Sequence, residues 1–186
     1  MDKCAIFIDG GYMQKVSTRS GIPVDYQRFS NLLADNCPIL RTYYYTCMPY
    51  KSSKPTEDQN KRYSNAQRFV DTLKKLDRYE VRLGKLEHRG NNELGNPVFV
   101  QKRVDILLAC DLVLLSSKSR ISKAVLFTGD SDFVPAVEIA KSEGVEIVLC
   151  YYNADGFNPH KSLMQIADER EGIDDLTLKS IKYTPK

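Results

Sequence analysis

The sequence contains no tryptophan, only two histidines, and five cysteines, none of which form a Cys-x-x-Cys pair. An odd number of cysteines without such a pair argues against a disulfide framework or a zinc site. No histidine is placed with a serine or cysteine as in a known nucleophile system, so covalent catalysis is not favoured. The Gly-x-Gly-x-x-Gly and Walker A motifs are also missing, which leaves a dinucleotide or nucleoside triphosphate site without direct support.

Long apolar segments are absent as well. No apolar run approaches the roughly 20 residues of a transmembrane helix. The N-terminal segment 1–9 carries an acid early and ends on another, unlike a secretory signal peptide. We therefore expect a cytoplasmic protein with no membrane partner. Its 186 residues suffice for one domain with a full core.

The net charge of +3 is unevenly distributed along the chain. Residues 51–103 hold thirteen Lys and Arg against seven Asp and Glu, whereas the remainder of the chain carries a net negative charge. A basic middle between acidic motifs suits a polyanionic substrate that approaches an acidic, metal-loaded site. Solvated lysine-rich helices are common, so this pattern alone is a weak signal.

Short apolar segments alternate with helical patterns along the chain. Strands are predicted at 3–8, 39–46, 79–85, 123–128 and 146–152, and residues 98–100 would return as an antiparallel partner of 79–85. Helices are predicted at 12–17, after an N-cap at Asp25, at 64–76, from about 104 to 116, at 133–140 and from 162 to 167. This alternation predicts an α/β protein with a mainly parallel central sheet and helices on both faces.

Acidic residues lie where predicted strands end. Asp9 closes the first strand, and Asp130 and Asp132 follow the strand at 123–128. Asp105 opens the helix that leads into that strand. Because the carboxyl ends of parallel strands share one edge of the sheet, the four acids could converge there. Their mutual repulsion would then favour Mg²⁺ or Mn²⁺ ions, which suit phosphodiester hydrolysis.

Simpler interpretations are open for Asp130 and for a further acid, Asp111. Asp130 and Ser131 could do no more than cap the following helix. Asp111 lies six residues after Asp105, so the two do not share a face of an ideal helix. Asp111 could be a metal ligand, could support a ligand from behind, or could be a cap or a surface acid.

In the segments 6–12, 102–111 and 126–135, and more weakly in 162–168, the chain resembles the NYN domain family. The likeness is greatest to the LabA-like members of this family, within the PIN-like nuclease superfamily. The resemblance implies a PIN-like three-layer α/β/α sandwich. The length of the chain predicts one domain over residues 1–186, and the turn-rich sequence before 98–100 predicts a protruding ribbon around 79–101. The resemblance also implies a metal-dependent ribonuclease centre in which Asp9, Asp105, Asp130 and Asp132 bind Mg²⁺ or Mn²⁺.

Two positions depart from the pattern of the family. Tyr12 stands where many relatives have Asn, and Arg103 stands where Gly often precedes Val-Asp. Neither departure removes a carboxylate. Both are compatible with a catalytically silent module that binds RNA or a protein partner. A phosphatase is less favoured, because the first strand lacks a second acid two residues after Asp9.

The expected partner is RNA, in single-stranded form, and a protein partner or a second copy of the chain is an alternative. The phosphates of the RNA could bind Lys102 and Arg103, although these two residues could equally be solvated turn residues. The side chains predicted to contact the substrate are Lys102, Arg103, Ser131, Tyr12, Lys61, Arg62 and Arg68, with Arg82, Lys85, His88 and Arg89 as further parts of a basic track. The tyrosines at 43–45, 151 and 152 are expected to pack in the sheet rather than to stack on bases.

Overall fold

Seven strands and seven helices alternate along the chain in the computed structural model, which describes residues 2–91 and 97–184, without the side chains of residues 87, 88, 91 and 97–102. The strands are β1 (Cys4–Asp9), β2 (Ile39–Cys47), β3 (Tyr79–Asn91), β4 (Pro97–Lys102), β5 (Lys123–Phe127), β6 (Glu146–Tyr152) and β7 (Glu169–Ile173). The helices are α1 (Gly10–Ser20), α2 (Tyr26–Ala34), α3 (Glu57–Leu73), α4 (Val104–Ser117), α5 (Val134–Ser142), α6 (Lys161–Ile166) and α7 (Asp175–Ser180), with a 3₁₀ turn at Ser131–Phe133.

The strands form one sheet in the order β4-β3-β2-β1-β5-β6-β7. Every neighbouring pair is parallel except β3 and β4, which are antiparallel. The predicted α/β class with a mainly parallel sheet is therefore confirmed. β3 and β4 pair where the ribbon is predicted, and their register places Lys85 opposite Lys102. The predicted strand ends at residue 85, whereas β3 continues to Asn91, and residues 92–96 lie outside the described residues.

Two apolar cores lie on opposite faces of the sheet. Ile6 and Ile8 of β1 pack on one face with α1, α2, α3 and α7, whereas Ala5 and Phe7 pack on the other with α4, α5 and α6. This division follows from the pleat, because successive side chains of a strand point to opposite faces. The result is the expected three-layer α/β/α sandwich.

Helices α1, α2, α4, α5 and α6 begin within two residues of their predicted starts, whereas α3 differs and α7, capped by Asp174, was not predicted. Asp25 caps α2 as predicted, because its carboxylate accepts a hydrogen bond from the Arg28 N–H at 3.0 Å. The prediction that α3 begins at Ser64 is wrong: Thr56 caps the helix, and it runs from Glu57. The first two turns are mostly polar and exposed, so the apolar periodicity that begins at Phe69 could not indicate them.

The carboxyl ends of β1 and β5, at the centre of the sheet, lead directly into the segments that carry the predicted acids. β1 turns into α1 without an intervening loop, and the turn is tight against β2. A Cβ atom at Gly10 would lie 2.4 Å from the Tyr45 carbonyl oxygen, so this position requires glycine. Across the residues that the structure describes, no helix is both long and apolar enough to cross a bilayer.

Candidate functional site

Asp9 is held in place at the junction of β1 and α1. Its Oδ1 atom accepts hydrogen bonds from the N–H groups of Gly11 at 2.9 Å and Tyr12 at 3.2 Å. Its Oδ2 atom accepts one from the Thr128 hydroxyl at 3.0 Å. The start of a helix favours a negative charge through its free N–H groups. The carboxylate is thus oriented by α1 on one side and by the segment after β5 on the other.

Asp130 and Asp132 lie around the 3₁₀ turn that follows β5. Oδ1 of Asp130 accepts a hydrogen bond from the Asp132 N–H at 3.0 Å, so Asp130 caps the turn. The Asp130 N–H donates in turn to the Thr128 hydroxyl oxygen at 3.3 Å. Buried Thr128 therefore connects the two strand ends, because it also donates to Asp9.

Asp105 faces the other acids from the first turn of α4. Partial burial raises its pKa above the ordinary value, and the negative charges of Asp9, Asp130 and Asp132 raise it further. The four predicted acids thus lie close enough to interact electrostatically, although Asp9 and Asp132 are more than a hundred positions apart in the sequence.

These acids border a cleft of about 780 Å³ at the carboxyl edge of the sheet. Asp9, Asp105 and Asp130 line it, together with the predicted residues Tyr12 and Ser131, whereas Asp132 is exposed beside it. The sequence pattern did not indicate the remaining lining residues, which are Gly11, Lys15, Gly129, Gly156, Phe157, Asn158 and His160.

The donor chemistry of the cleft fits a hard divalent cation. None of the four acids forms an ion pair with a Lys, Arg or His among the described residues. Within the same part of the chain, no three Asp, Glu, His or Cys side chains are already gathered as one metal site. Mg²⁺ keeps several of its waters and is usually held by one or two carboxylates, so a ready-made set of three is not required.

A loop between β6 and α6, residues 153–160, forms one wall of the cleft. The backbone N–H of His160 donates to the Gly129 carbonyl oxygen at 3.1 Å, and its ring Nδ1 lies 2.7 Å from the Ser162 hydroxyl oxygen. The loop is therefore fixed to the segment that carries Asp130. Its Gly, Asn and Pro content after a parallel strand could have indicated that it lies at the same edge.

Comparison with known sequences connects this arrangement to a family. The NYN domain profile matches residues 3–171, which include all four acids and every strand except the end of β7. The chain belongs to the NYN domain family. This family is PIN-like and related to nucleases, so the resemblance carried by the acidic motifs is confirmed.

Two curated proteins and one solved structure are similar to the chain. The "Low amplitude and bright protein LabA" of Synechococcus elongatus is 29% identical over 149 residues, which cover 79% of this chain and 72% of LabA. The uncharacterized protein y4oD of Sinorhizobium fredii is 32% identical over 104 residues, which cover 56% of this chain and 44% of y4oD. A crystal structure of a Vibrio parahaemolyticus protein of unknown function matches with a TM-score of 0.59 at 18% identity, over 94% of both chains, and so supports the fold.

Tyr12, one of the two departures from the NYN pattern, has a structural contact for its hydroxyl group. The side chain is buried, and its hydroxyl donates to the Phe157 carbonyl oxygen and accepts from the Tyr152 N–H, both at 3.0 Å. Burial raises the pKa of Tyr12 to about 12. The ring lines the cleft, but the hydroxyl is occupied by hydrogen bonds to the backbone at the end of β6 and within the loop 153–160.

Arg103, the other departure, adopts a backbone conformation that glycine favours. Its φ of 74° places it in the left-handed region at the N-cap of α4. This strained residue lies two positions before Asp105. Arg103 is exposed and does not line the cleft, whereas the side chain of Lys102 lies outside the described residues.

Asp111 points away from the acids and towards β2 and β3. Its carboxylate accepts from the Arg82 Nε–H at 2.9 Å and from the Tyr45 hydroxyl at 3.0 Å. The Arg82 guanidinium also lies over the ring of Tyr43. These contacts do not favour metal ligation by Asp111, and they connect α4 to the sheet.

The remaining basic track lies apart from the cleft. Lys61, Arg62 and Arg68 are exposed on α3, and none of them lines the cleft. Arg62 forms an ion pair with Asp58 at 2.6 Å. The structure therefore does not bring these three side chains to the acids. Lys85 and Arg89 lie on β3, where the side chain of His88 is outside the described residues.

Proposed function

We propose that this protein is a metal-dependent ribonuclease that hydrolyses phosphodiester bonds of RNA. The observation that supports the proposal most directly is the cleft lined by Asp9, Asp105 and Asp130, with Asp132 close enough to interact electrostatically with Asp105. These acids have no ion-pair partner among the described residues. Membership of a nuclease-related family adds weight to it.

The acids would share the work of holding Mg²⁺ or Mn²⁺. Asp9 and Asp130 are oriented by backbone N–H groups, so each offers its carboxylate in a fixed direction. Asp105 has a raised pKa and gains most from a neighbouring positive charge. A bound divalent cation would supply polarisation of a phosphate oxygen and activation of a water molecule.

The other side chains of the cleft would bind and orient the RNA. Lys15 can neutralise a phosphate beside the acids, and Asn158 and His160 can donate hydrogen bonds from the opposite wall. Ser131 lies between two acids on the 3₁₀ turn, where its hydroxyl can hold a ligand oxygen. No protein nucleophile is required, in keeping with the absence of a histidine–serine or histidine–cysteine system.

Comparing Asp130→Asn with the wild type tests the proposal. Purified protein is incubated with mixed-sequence single-stranded RNA and Mn²⁺, and Mn²⁺ binding is measured separately by calorimetry. We expect at least a 100-fold slower cleavage and weaker Mn²⁺ binding, because even residues that only support metal ligands cost about 10- to 100-fold. Asp71→Asn on the exposed surface of α3 is the matched control and should change neither. Equal, slow RNA degradation by wild type and Asp130→Asn would contradict the catalytic role.

A module that binds RNA or a protein without turnover is the second candidate. Two observations favour it: Tyr12 uses its hydroxyl for the backbone, and the described acids are not gathered as a set of three ligands. Such a module would bind RNA equally well with and without Mn²⁺ and would leave the RNA intact. The same calorimetry and cleavage assays therefore distinguish the two candidates.

A further inference from the structure

A second groove opens into the acidic cleft along the exposed face of α1. Its volume is about 700 Å³, and its walls are one stripe of α1 and the loop 153–160. We call it the α1 groove, lined by Gly11, Gln14, Lys15, Thr18, Arg19 and Phe157. Gly11, Lys15 and Phe157 also line the cleft, so the two cavities are continuous.

Positive charge in the α1 groove begins beside the acidic cleft at Lys15 and continues along the helix to Arg19, which does not line the cleft. Lys15 and Arg19 are four residues apart, so they lie on the same face of α1. Both are exposed, and neither forms an ion pair with a described residue. A polyanion can therefore rest on these cations while one of its phosphates reaches the carboxylates. This arrangement of charge fits a polyanionic chain that runs along the groove and ends or continues in the cleft.

Phe157 provides an aromatic surface between the two cavities. Its ring is half-buried and packs edge-on against Tyr12 and Tyr152, with centroids 6.3 and 5.1 Å away. Its carbonyl oxygen is held by the Tyr12 hydroxyl, so the position of the ring depends on Tyr12. Aromatic rings beside a cationic track are typical of sites for single-stranded nucleic acids, because each base has a face that can stack.

We propose that the α1 groove binds single-stranded RNA next to the bond that is cleaved. Phe157 stacks on one base, and Lys15 and Arg19 bind the neighbouring phosphates. A duplex is disfavoured, because its base faces are already stacked within the helix. Tyr12 is a positioning residue that holds the loop carrying Phe157. The proposal rests on the ribonuclease function for the position of the cleaved bond, but RNA binding in the groove can be measured without turnover.

The test measures binding of a fluorescein-labelled, mixed-sequence single-stranded RNA by fluorescence anisotropy. All proteins carry Asp130→Asn so that the RNA stays intact, and the titration is repeated at several salt concentrations with Mg²⁺. The double substitution Lys15→Ala with Arg19→Ala should weaken binding at least 10-fold. It should also reduce the slope of log K against log salt by about 1.4, since each phosphate contact on a single strand contributes about 0.7.

Matched controls separate the groove from general charge. Lys74→Ala with Lys75→Ala removes the same amount of charge just beyond the end of α3. The chain there leads to the start of β3, so the two lysines lie towards the amino ends of the strands, away from the cleft at the carboxyl ends. It should leave the affinity within about twofold. Phe157→Leu keeps the apolar packing but not the aromatic face, and should weaken binding about 10-fold, within the range for one lost stack. Phe157→Tyr should retain the affinity.

The outcomes distinguish this proposal from the ribonuclease proposal. If the variants of the groove bind RNA like the parent, or if Lys74→Ala with Lys75→Ala weakens binding equally, the groove is not the RNA site. If binding depends on the groove but the wild type never cleaves RNA, the groove stands and the ribonuclease function fails. If a groove variant without Asp130→Asn cleaves RNA at the wild-type rate and KM, the ribonuclease stands and the groove fails.

Discussion

The Tyr12 hydroxyl connects α1 to the end of β6 and to the middle of the loop 153–160, and Tyr12→Phe removes that connection alone. The ring can keep its contacts with Phe127 and Phe157. What is lost is a donor to the Phe157 carbonyl oxygen and an acceptor for the Tyr152 N–H. Because the pKa of Tyr12 is raised by burial to about 12, the hydroxyl is a donor throughout the neutral pH range.

The magnitude follows from what each former partner can do afterwards. The hydrogen bond from Tyr152 is buried, so its N–H is left unpaired at a cost of about 1–3 kcal/mol. The bond to Phe157 is only partly buried, so water can replace the lost donor there. We expect Tyr12→Phe to lower the free energy of unfolding by about 2 kcal/mol. In a chain of this size that corresponds to a fall in Tm of about 4–8 °C.

Urea denaturation and thermal melting measure the change. Tyr183→Phe is the matched control, because Tyr183 is 51% exposed and loses the same atom at the surface. In addition, Tyr12→Phe should weaken binding of single-stranded RNA without altering Mn²⁺ affinity, which separates loop positioning from general destabilisation. The reasoning is refuted if Tyr12→Phe and Tyr183→Phe agree within about 0.5 kcal/mol, the usual range of surface substitutions.

Two further substitutions test the backbone at Arg103 and the ion pair at Asp168. Arg103→Gly should raise the free energy of unfolding by up to about 1 kcal/mol, since relief of the positive φ outweighs the added freedom of the unfolded chain. A lower free energy of unfolding for Arg103→Gly, measured by urea denaturation, would contradict this. Asp168→Asn should cost about 1 kcal/mol at pH 7, discounted for exposure, because Asp168 binds Lys141 at 2.6 Å and the Ile147 N–H at 2.8 Å. Although partial burial raises the pKa of Asp168, these partners lower it overall. The stabilisation by Asp168 is therefore present at pH values above its ordinary pKa near 3.8 and is lost as the pH falls through the folded pKa. A difference in unfolding free energy between wild type and Asp168→Asn that stays unchanged from about pH 7 to about pH 2 would be inconsistent with this.

The central strands could be predicted because their local sequence indicates that they are buried. β1, β5 and β6 are apolar runs buried on both faces of a parallel sheet, which is the pattern that local sequence shows best. β7 was missed for the opposite reason. Four of its five residues are exposed, and it is a strand because β6 offers it a partner edge.

The acids could be predicted from local sequence, whereas the contacts that fix the opposite wall of the cleft could not. A carboxylate after a buried parallel strand is placed by topology alone, as for Asp9 and Asp130. Lys15 and the loop 153–160 reach the cleft through long-range contacts, such as those of the Tyr12 hydroxyl and the His160 N–H. No local pattern encodes those contacts. The α3 basic residues show the converse, since a basic run in the sequence does not fix where its helix lies.

The capping contacts of Asp9 and Asp130 would be compatible with metal binding by the same acids. Asp9 and Asp130 each accept backbone N–H groups at the start of a helical turn, which compensates part of their negative charge. Asp105 accepts no hydrogen bond from a described residue, and partial burial together with the charges of the other three acids raises its pKa. Asp105 therefore experiences this repulsion without a hydrogen bond to compensate its charge. Asp105, Asp9 and Asp130 would together hold a divalent cation, whose positive charge would offset that repulsion while both caps stay in place.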